Sequence, residues 1–406
     1  MSRSSAFVCT GVVFASALAL SLLSPVQAQQ NPVPPPPAAS TQQAPPVPTG
    51  PLAPEKYMNI QALKDVPAVQ IHDTMVYFGA ALGTNCTFCH VRDAAGEFAF
   101  EKDDRNSKKT AREMIVMTRA INAQSFKGQL QVTCETCHQG LRQPNAVPKL
   151  AEMLTAEQLA ALPPQGPGAG AAPGQAPGEG PGQRPKPPVE TVDQIADKLI
   201  QAMGGTEALQ KFTSRTSKGT LTNKLGQVSP FSAEDTVAGQ YRIAVEGPQP
   251  SVSAFDGKVA WIQSGTRMRD LEGIEETLVS MGADLGLALH LKDRYQGLAV
   301  RAYGKIDGRD VIVLQGRVSP IAAETLSVDK ATGLLVRRLV RFTTPLGRLS
   351  AQIDYSDFRP VAGVTLPFGV KVATWDSITD RKFTEIKSSP ALSPSRFAKP
   401  DAKAGQ

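Results

Sequence analysis

Two pentapeptides in this chain repeat one pattern of reactive side chains: Cys86-Thr-Phe-Cys89-His90 and Cys134-Glu-Thr-Cys137-His138. On a helical turn, residues three and four apart share a face. The two thiols of each pentapeptide can therefore reach one edge of a flat macrocycle and form thioethers with its two vinyl groups. The histidine next in line then places its imidazole on the central metal. C-x-x-C-H is the attachment signature of c-type haem. Cys86, Cys89, Cys134 and Cys137 are the expected covalent anchors of two haems, and His90 and His138 the expected iron ligands. Paired C-x-x-C motifs also suit a tetrahedral zinc site, but that reading gives neither histidine a reason. A thioredoxin-like redox motif belongs in a βαβ setting, whereas the flanks here look helical. The chain has five cysteines. Cys9 lies in an N-terminal apolar run, so none remains for a structural disulfide.

Each motif supplies one axial ligand, and methionine is a usual second one in cytochromes c. After Asp65-Val-Pro, a helical segment runs through Ile71, Thr74, Met75, Phe78 and Leu82, and Gly83 ends it just before the first motif. A charged stretch without strong pattern, Asp93 to Lys109, reads as a loop. From Thr110 to Asn122, Ala111, Met114, Ile115, Thr118 and Ile121 form one stripe at helical spacing. Val132-Thr133 leads into the second motif, and Gln139-Gly140 turns away from it. A methionine on an apolar helix face ordinarily packs a core. A methionine-bearing helix ahead of each haem motif makes Met75, and Met114 or Met117, candidate ligands.

Asp73-Thr-Met-Val-Tyr-Phe78 with the first motif, Ala111 to Asn122, and Val132-Thr-Cys-Glu-Thr-Cys-His-Gln-Gly140 together resemble the cytochrome subunit of photosynthetic reaction centres. The resemblance covers about residues 59–145. It implies a mainly α dihaem domain in which each haem follows a helix that donates a methionine. Carried over by position, it implies Met75 as the distal ligand of the first haem. For the second it implies Met114, the first methionine of R-x-M-x-x-M, with Met117 as the fallback. That family carries four haems, and the two motifs here correspond to its first half. Gln124 to Gln131 also lacks the histidine by which the family ligates a more distant haem. These departures point away from photosynthesis and towards another electron-transfer chain. His72, three residues before Met75, reads as a surface residue or a propionate contact rather than a ligand.

With 406 residues, the chain has room for two or three domains. Residues 1–28 read as a signal peptide: Arg3, the apolar run Phe7 to Leu23, then Val26-Gln27-Ala28 as a cleavage site. The other option is a retained anchor, because the run approaches spanning length. Export to the periplasm suits covalent haem attachment. Residues 29–54 form a Pro-rich tether, residues 55–162 the dihaem domain, and residues 163–189 a Pro/Gly-rich linker. Residues 190–400 form a second domain, and 401–406 a tail. The net charge of +6 is mild, and no nucleic-acid motif accompanies it.

In the second domain a helix from Val192 to Met203 stops at Gly204-Gly205, and a short one follows from Glu207 to Phe212. Alternating segments separated by D-G and D-K-x-T-G turns then read as antiparallel strands, interrupted by Leu271 to Leu291, which reads as another helix. Asp256-Gly-Lys-Val-Ala-Trp261, Asp329-Lys-Ala-Thr-Gly-Leu-Leu335, Asp354-Tyr-Ser-Asp-Phe358 and Gly363-Val-Thr-Leu-Pro367 resemble the periplasmic lipoprotein-carrier (LolA-like) fold. That resemblance implies an α+β domain with a curved antiparallel half-barrel, suited to an apolar ligand or to docking. His290 is isolated and reads as structural.

The sequence thus reads as a periplasmic dihaem cytochrome carrying single electrons between a donor and an acceptor protein at or near the membrane. Such a carrier needs no catalytic acid, base or nucleophile. One alternative is a peroxidase-like dihaem enzyme with an open iron site. Another is a β domain that binds an apolar ligand or partner, with the haem module attached as a redox reporter.

Overall fold

The computed structural model describes residues 50–144, 190–388 and 392–400, all within one compact unit, Pro45–Gln406. The expected signal peptide, the linker, the tail, most of the tether and the end of the haem domain (145–162) lie outside the described residues.

The described N-terminal module is mainly helical. It contains α1 (Ala53–Lys56), α2 (Ile71–Leu82), α3 (Asn106–Ser125) and α4 (Cys134–His138), with a small ladder of β1 (Val91–Arg92) and β2 (Phe98–Ala99). A 3-10 turn, Ala68–Gln70, follows Pro67 and feeds α2. Gly83, at φ 56, takes the left-handed C-cap that ends it. The charged stretch read as a loop holds the hairpin instead. Asp93 accepts the N–H groups of Ala95 and Glu97 at 3.0 and 2.9 Å and closes its turn. Helix α3 also starts earlier than its apolar stripe, at Asn106. Its polar first turn is held by tertiary bonds: Ser107 Oγ donates to the Phe88 carbonyl, and Lys108 Nζ to those of Phe100 and Lys102.

The second domain begins with α5 (Val192–Ala202) and α6 (Thr206–Lys211). Strands β3 (Ser214–Asn223), β4 (Val228–Thr236), β5 (Tyr241–Val245), β6 (Ser251–Phe255), β7 (Ala260–Ser264) and β8 (Arg267–Leu271) follow. After α7 (Gly273–Ser280) and α8 (Leu291–Arg294) come β9 (Gln296–Ile306), β10 (Arg309–Ser319), β11 (Ala322–Asp329) and β12 (Leu335–Thr344). The last three strands are β13 (Gly347–Val361), β14 (Val364–Ala373) and β15 (Ile378–Ser388). All thirteen form one antiparallel sheet in the order 8-7-6-5-4-3-15-14-13-12-11-10-9. Every neighbour is also a chain neighbour except β3 and β15, which join the two halves. The sheet does not close, and β8 and β9 are its edges. Asx-type turns set the hairpins: Asp329 accepts from Ala331 and Thr332 ahead of Gly333, and Asp256 from Lys258 and Val259 around Gly257.

Four apolar clusters pack one face of this sheet, and the segment from Met281 to Leu291 contributes to each of them. Its anchor is polar. Arg338, fully buried, pairs with Glu324 and donates to the Met281 carbonyl at 2.9 Å. Tyr295 donates to Glu324 at 3.0 Å and Tyr355 to Asp284 at 2.9 Å. The sheet face read as a ligand cradle is thus packed by the chain's own segment. One cluster also crosses the sequence boundary between domains: Ile71, Tyr77, Ala81 and Ile115 pack with Val340, Phe342, Leu346, Leu349 and Ala351.

Candidate haem-attachment site

The first motif follows α2 by a tight 3-10 turn, Cys86–Phe88. Asn85 caps this turn by accepting from Thr87 N at 3.2 Å and Thr87 Oγ1 at 2.6 Å. His90 N donates to the Cys86 carbonyl at 2.9 Å, so the two cysteines and the histidine wind on one turn. Cys86 is exposed and Cys89 half-buried. The His90 ring meets Phe100 edge-on at 5.0 Å, and its Nδ1 is buried with no hydrogen-bond partner among the described residues. Burial, aided by nearby Lys108, pushes the His90 pKa down. This favours the neutral imidazole, which is the form that ligates metal.

The second motif is itself the helix α4. Thr133 and Thr136 form a reciprocal N-terminal cap, and Gln139, at φ 50, turns the chain away. His138 Nδ1 lies 2.9 Å from the Leu141 carbonyl. That bond fixes the ring orientation and leaves Nε2 to face a metal. The approach to the motif is set by Asn122 of α3, which is 6% exposed. Its Oδ1 accepts from Gln131 N at 3.0 Å and Val132 N at 2.9 Å, while Nδ2 donates to the Val132 carbonyl at 2.6 Å. Burial raises the Cys134 thiol to about 11; Cys137 is exposed.

The exit of the second motif meets the end of α2. Gly140, just past the second motif, donates to the Ala81 carbonyl at 3.0 Å, two residues before the Gly83 C-cap of α2. A Cβ on Gly83 would strike the Gly140 carbonyl. Met75 and Met114 are both half-buried on their helices, while Met117 is 44% exposed. In α2 the stripe Met75, Phe78 and Leu82 stays half-buried, while Asp73, Thr74, Tyr77 and Ala81 are fully buried. The less covered stripe is the one that leads into Cys86. His72 is exposed, 3.6 Å from Glu275, which also takes a two-pronged bond from Arg269. His290 is exposed and precedes α8. Among the described residues the four cysteines of the motifs form no disulfide. Among the described residues no three His, Cys, Asp or Glu side chains converge as a metal-binding group, so the two C-x-x-C pairs do not assemble the tetrahedral set of the zinc reading. The donor set instead fits two separate haems, each with its own thiol pair and an imidazole of defined orientation or protonation.

Three residues that matter here were not singled out from sequence: Asn122, Asp73 and Tyr77. Each is a polar group on a helix, and only its burial reveals its partners. Asp73 accepts from Ile274 N at 3.0 Å, and burial raises its carboxyl to about 6. Tyr77 Oη accepts from Glu135 N at 3.2 Å.

Comparison with known proteins gives a family match for part of the chain. Residues 22–162 match the family model described as photosynthetic reaction centre cytochrome C subunit. The photosynthetic reaction center cytochrome c subunit of Thermochromatium tepidum is 37% identical over 107 residues, covering 25% of this chain and 24% of that protein. The chain thus spans about a quarter of the length of this relative. Among solved structures, a LolA superfamily protein from Nitrosomonas europaea is similar at 12% identity, over 52% of this chain and 98% of its own, with a TM-score of 0.38. A DUF1329 family protein from Desulfovibrio piger is similar at 14% identity, over 51% and 97%, with a TM-score of 0.36.

Proposed function

We propose that this chain is an exported, periplasmic c-type cytochrome that passes single electrons between redox proteins through two covalently held haems. The observation that carries the reading is the pair of C-x-x-C-H turns, joined at the end of α2 by the Gly140–Ala81 bond and each preceded by a helix with a half-buried methionine. The partial match to the reaction-centre cytochrome family supports the same role. Haem, when bound, supplies an iron that changes valence by one electron without bond rearrangement in a substrate.

The chain's part is attachment, ligation and shielding. Cys86 and Cys89 would hold one macrocycle, Cys134 and Cys137 the other. His90 and His138 would each supply a ligand to an iron, and Met75 and Met114 the further ligands, with Met117 as the fallback on α3. Asn122 and the Gly140–Ala81 bond fix the second motif against the first, which favours rapid exchange between two nearby centres. The sheet of residues 190–400 is read as a half-barrel that serves docking or support, its inner face filled by Met281 to Leu291.

The test is the ferric and ferrous absorption spectrum of the mature protein, made in a host that attaches c-type haem, with haem counted per chain. Two low-spin haems with the far-red methionine–iron band are expected. One haem per chain, or a high-spin centre that turns over peroxide, would overturn the carrier and promote the enzyme.

A further inference from the structure

We propose that the sheet domain positions the haem site, acting through two residues of α2: Asp73, held by the start of α7, and Tyr77, held by the turn between β12 and β13. The inference rests on the dihaem reading above and adds a role for residues 190–400 within it.

Asp73 and Tyr77 are four residues apart and share a helix face. Met75 lies between them in sequence, about 200° round the helix from Asp73 at 3.6 residues per turn. One face of α2 therefore grips the sheet while the other presents the proposed ligand.

Both grips are built to close tolerance. Asp73, 3% exposed, accepts the Ile274 N–H at the first turn of α7. Gly273, at φ +62, lets it approach, since a Cβ there would strike the Asp73 carboxylate. Tyr77, 1% exposed, lies with its ring against Gly347, where a Cβ would strike the ring and hydroxyl. Thr344 holds that turn by accepting from Gly347 N at 3.1 Å and donating to the Gly347 carbonyl at 3.0 Å. From this seat the Tyr77 hydroxyl accepts the Glu135 N–H in the first turn of α4. One path from sheet to second motif runs through this side chain: Gly347 backs the ring, and the ring's far end meets the first turn of the helix carrying Cys134, Cys137 and His138.

Behind α7, the Arg338 bond to the Met281 carbonyl ties the C-terminal end of the same helix to β12. A shift of Met281 to Leu291 would thus be transmitted to Asp73. A spacer domain would need neither glycine.

The experiment uses the full-length haem-loaded protein and spectroelectrochemical titration of each haem, with the methionine–iron band and carbon monoxide binding as further readouts. Tyr77→Phe keeps the ring on Gly347 and removes the acceptor of Glu135 N–H. Gly347→Ala, 270 residues away in sequence, displaces the ring. Each is expected to change the second haem's reduction equilibrium at least threefold, about 28 mV at 59 mV per tenfold for one electron. Asp73→Asn is expected to weaken the first haem's methionine–iron band. Leu225→Ala, on the exposed β3–β4 turn, serves as the control in the same domain.

Should Gly347→Ala fail to fold, Tyr77→Phe and Asp73→Asn decide. Unchanged potentials, band and carbon monoxide binding in folded Tyr77→Phe and Asp73→Asn would overturn the inference and leave the sheet a spacer. A parent protein without two haems would instead remove the dihaem reading, and this inference with it.

Discussion

Replacing Asn122 by alanine tests how the second motif is held. The side chain makes three bonds to the backbone of Gln131 and Val132, and is 6% exposed. A net contribution of about 1 kcal/mol per bond gives roughly 3 kcal/mol. Val132 is half-buried and Gln131 exposed, so water replaces some of what is lost, and a range of about 2–4 kcal/mol is expected. The same bonds fix the entry to Cys134, so loosening them should reduce attachment of the second haem and spare the first. Urea unfolding followed by circular dichroism reads the stability, and chain mass with a haem count reads the attachment. Gln124→Ala, exposed on the same helix, should stay within about 0.5 kcal/mol of the parent. If Asn122→Ala matches Gln124→Ala in both assays, the clamp contributes nothing and the reasoning fails.

Met75→Ala and Met114→Ala should each lower the potential of one haem and let it bind carbon monoxide, while Met117→Ala leaves both spectra as they were. The reverse order for Met114 and Met117 would transfer the ligand role to the fallback. Arg338→Met strands Glu324 in the core and should cost about 3–5 kcal/mol in denaturant unfolding, whereas Arg338→Met combined with Glu324→Gln should recover most of it. Asp103, gripped by Arg112 and Lys108, has a carboxyl held well below the usual range. Its folded pKa is depressed, so its stabilisation is present above about pH 4 and is lost as pH falls further. Asp103→Asn should flatten stability between pH 2 and pH 5, which melting curves across that range would show.

Short-range chemistry was legible in the sequence. The two C-x-x-C-H turns, the Gly83 stop, the D-G and D-K-x-T-G hairpins and the strand character of residues 190–400 all rest on contacts within a few residues. What the sequence hid depends on distant partners. Strand β4 carries Pro230, Glu234 and Asp235 and has no apolar alternation to betray it. Its charges are matched by Arg396 and Arg215, distant in sequence. The hairpin at residues 91–99 and the first turn of α3 are likewise polar segments, held by Asp93, Ser107 and Lys108. Helix α2 shows the limit most clearly. Ile71 and Thr74, which the sequence pattern offers, are buried, but so are Asp73 and Tyr77, which no apolar pattern marks.

That burial bears on how the two halves of the molecule relate. A helix that buries Asp73, Thr74 and Tyr77 beside Ile71 and Ala81, while Met75, Phe78 and Leu82 stay half-covered, is placed between two partners rather than against water. Tyr77 and Asp73 are costly to bury unless bonded, and their bonds run to Glu135 and to Ile274, one in the haem module and one in the sheet domain. The Pro/Gly-rich stretch therefore separates two segments of sequence without separating their cores, since Ile71, Tyr77 and Ala81 share one apolar cluster with Val340, Phe342 and Leu349. The sheet is then a wall of the N-terminal helical module, and substitutions at Gly273 or Gly347 belong with those of the proposed haem ligands when the potentials are measured.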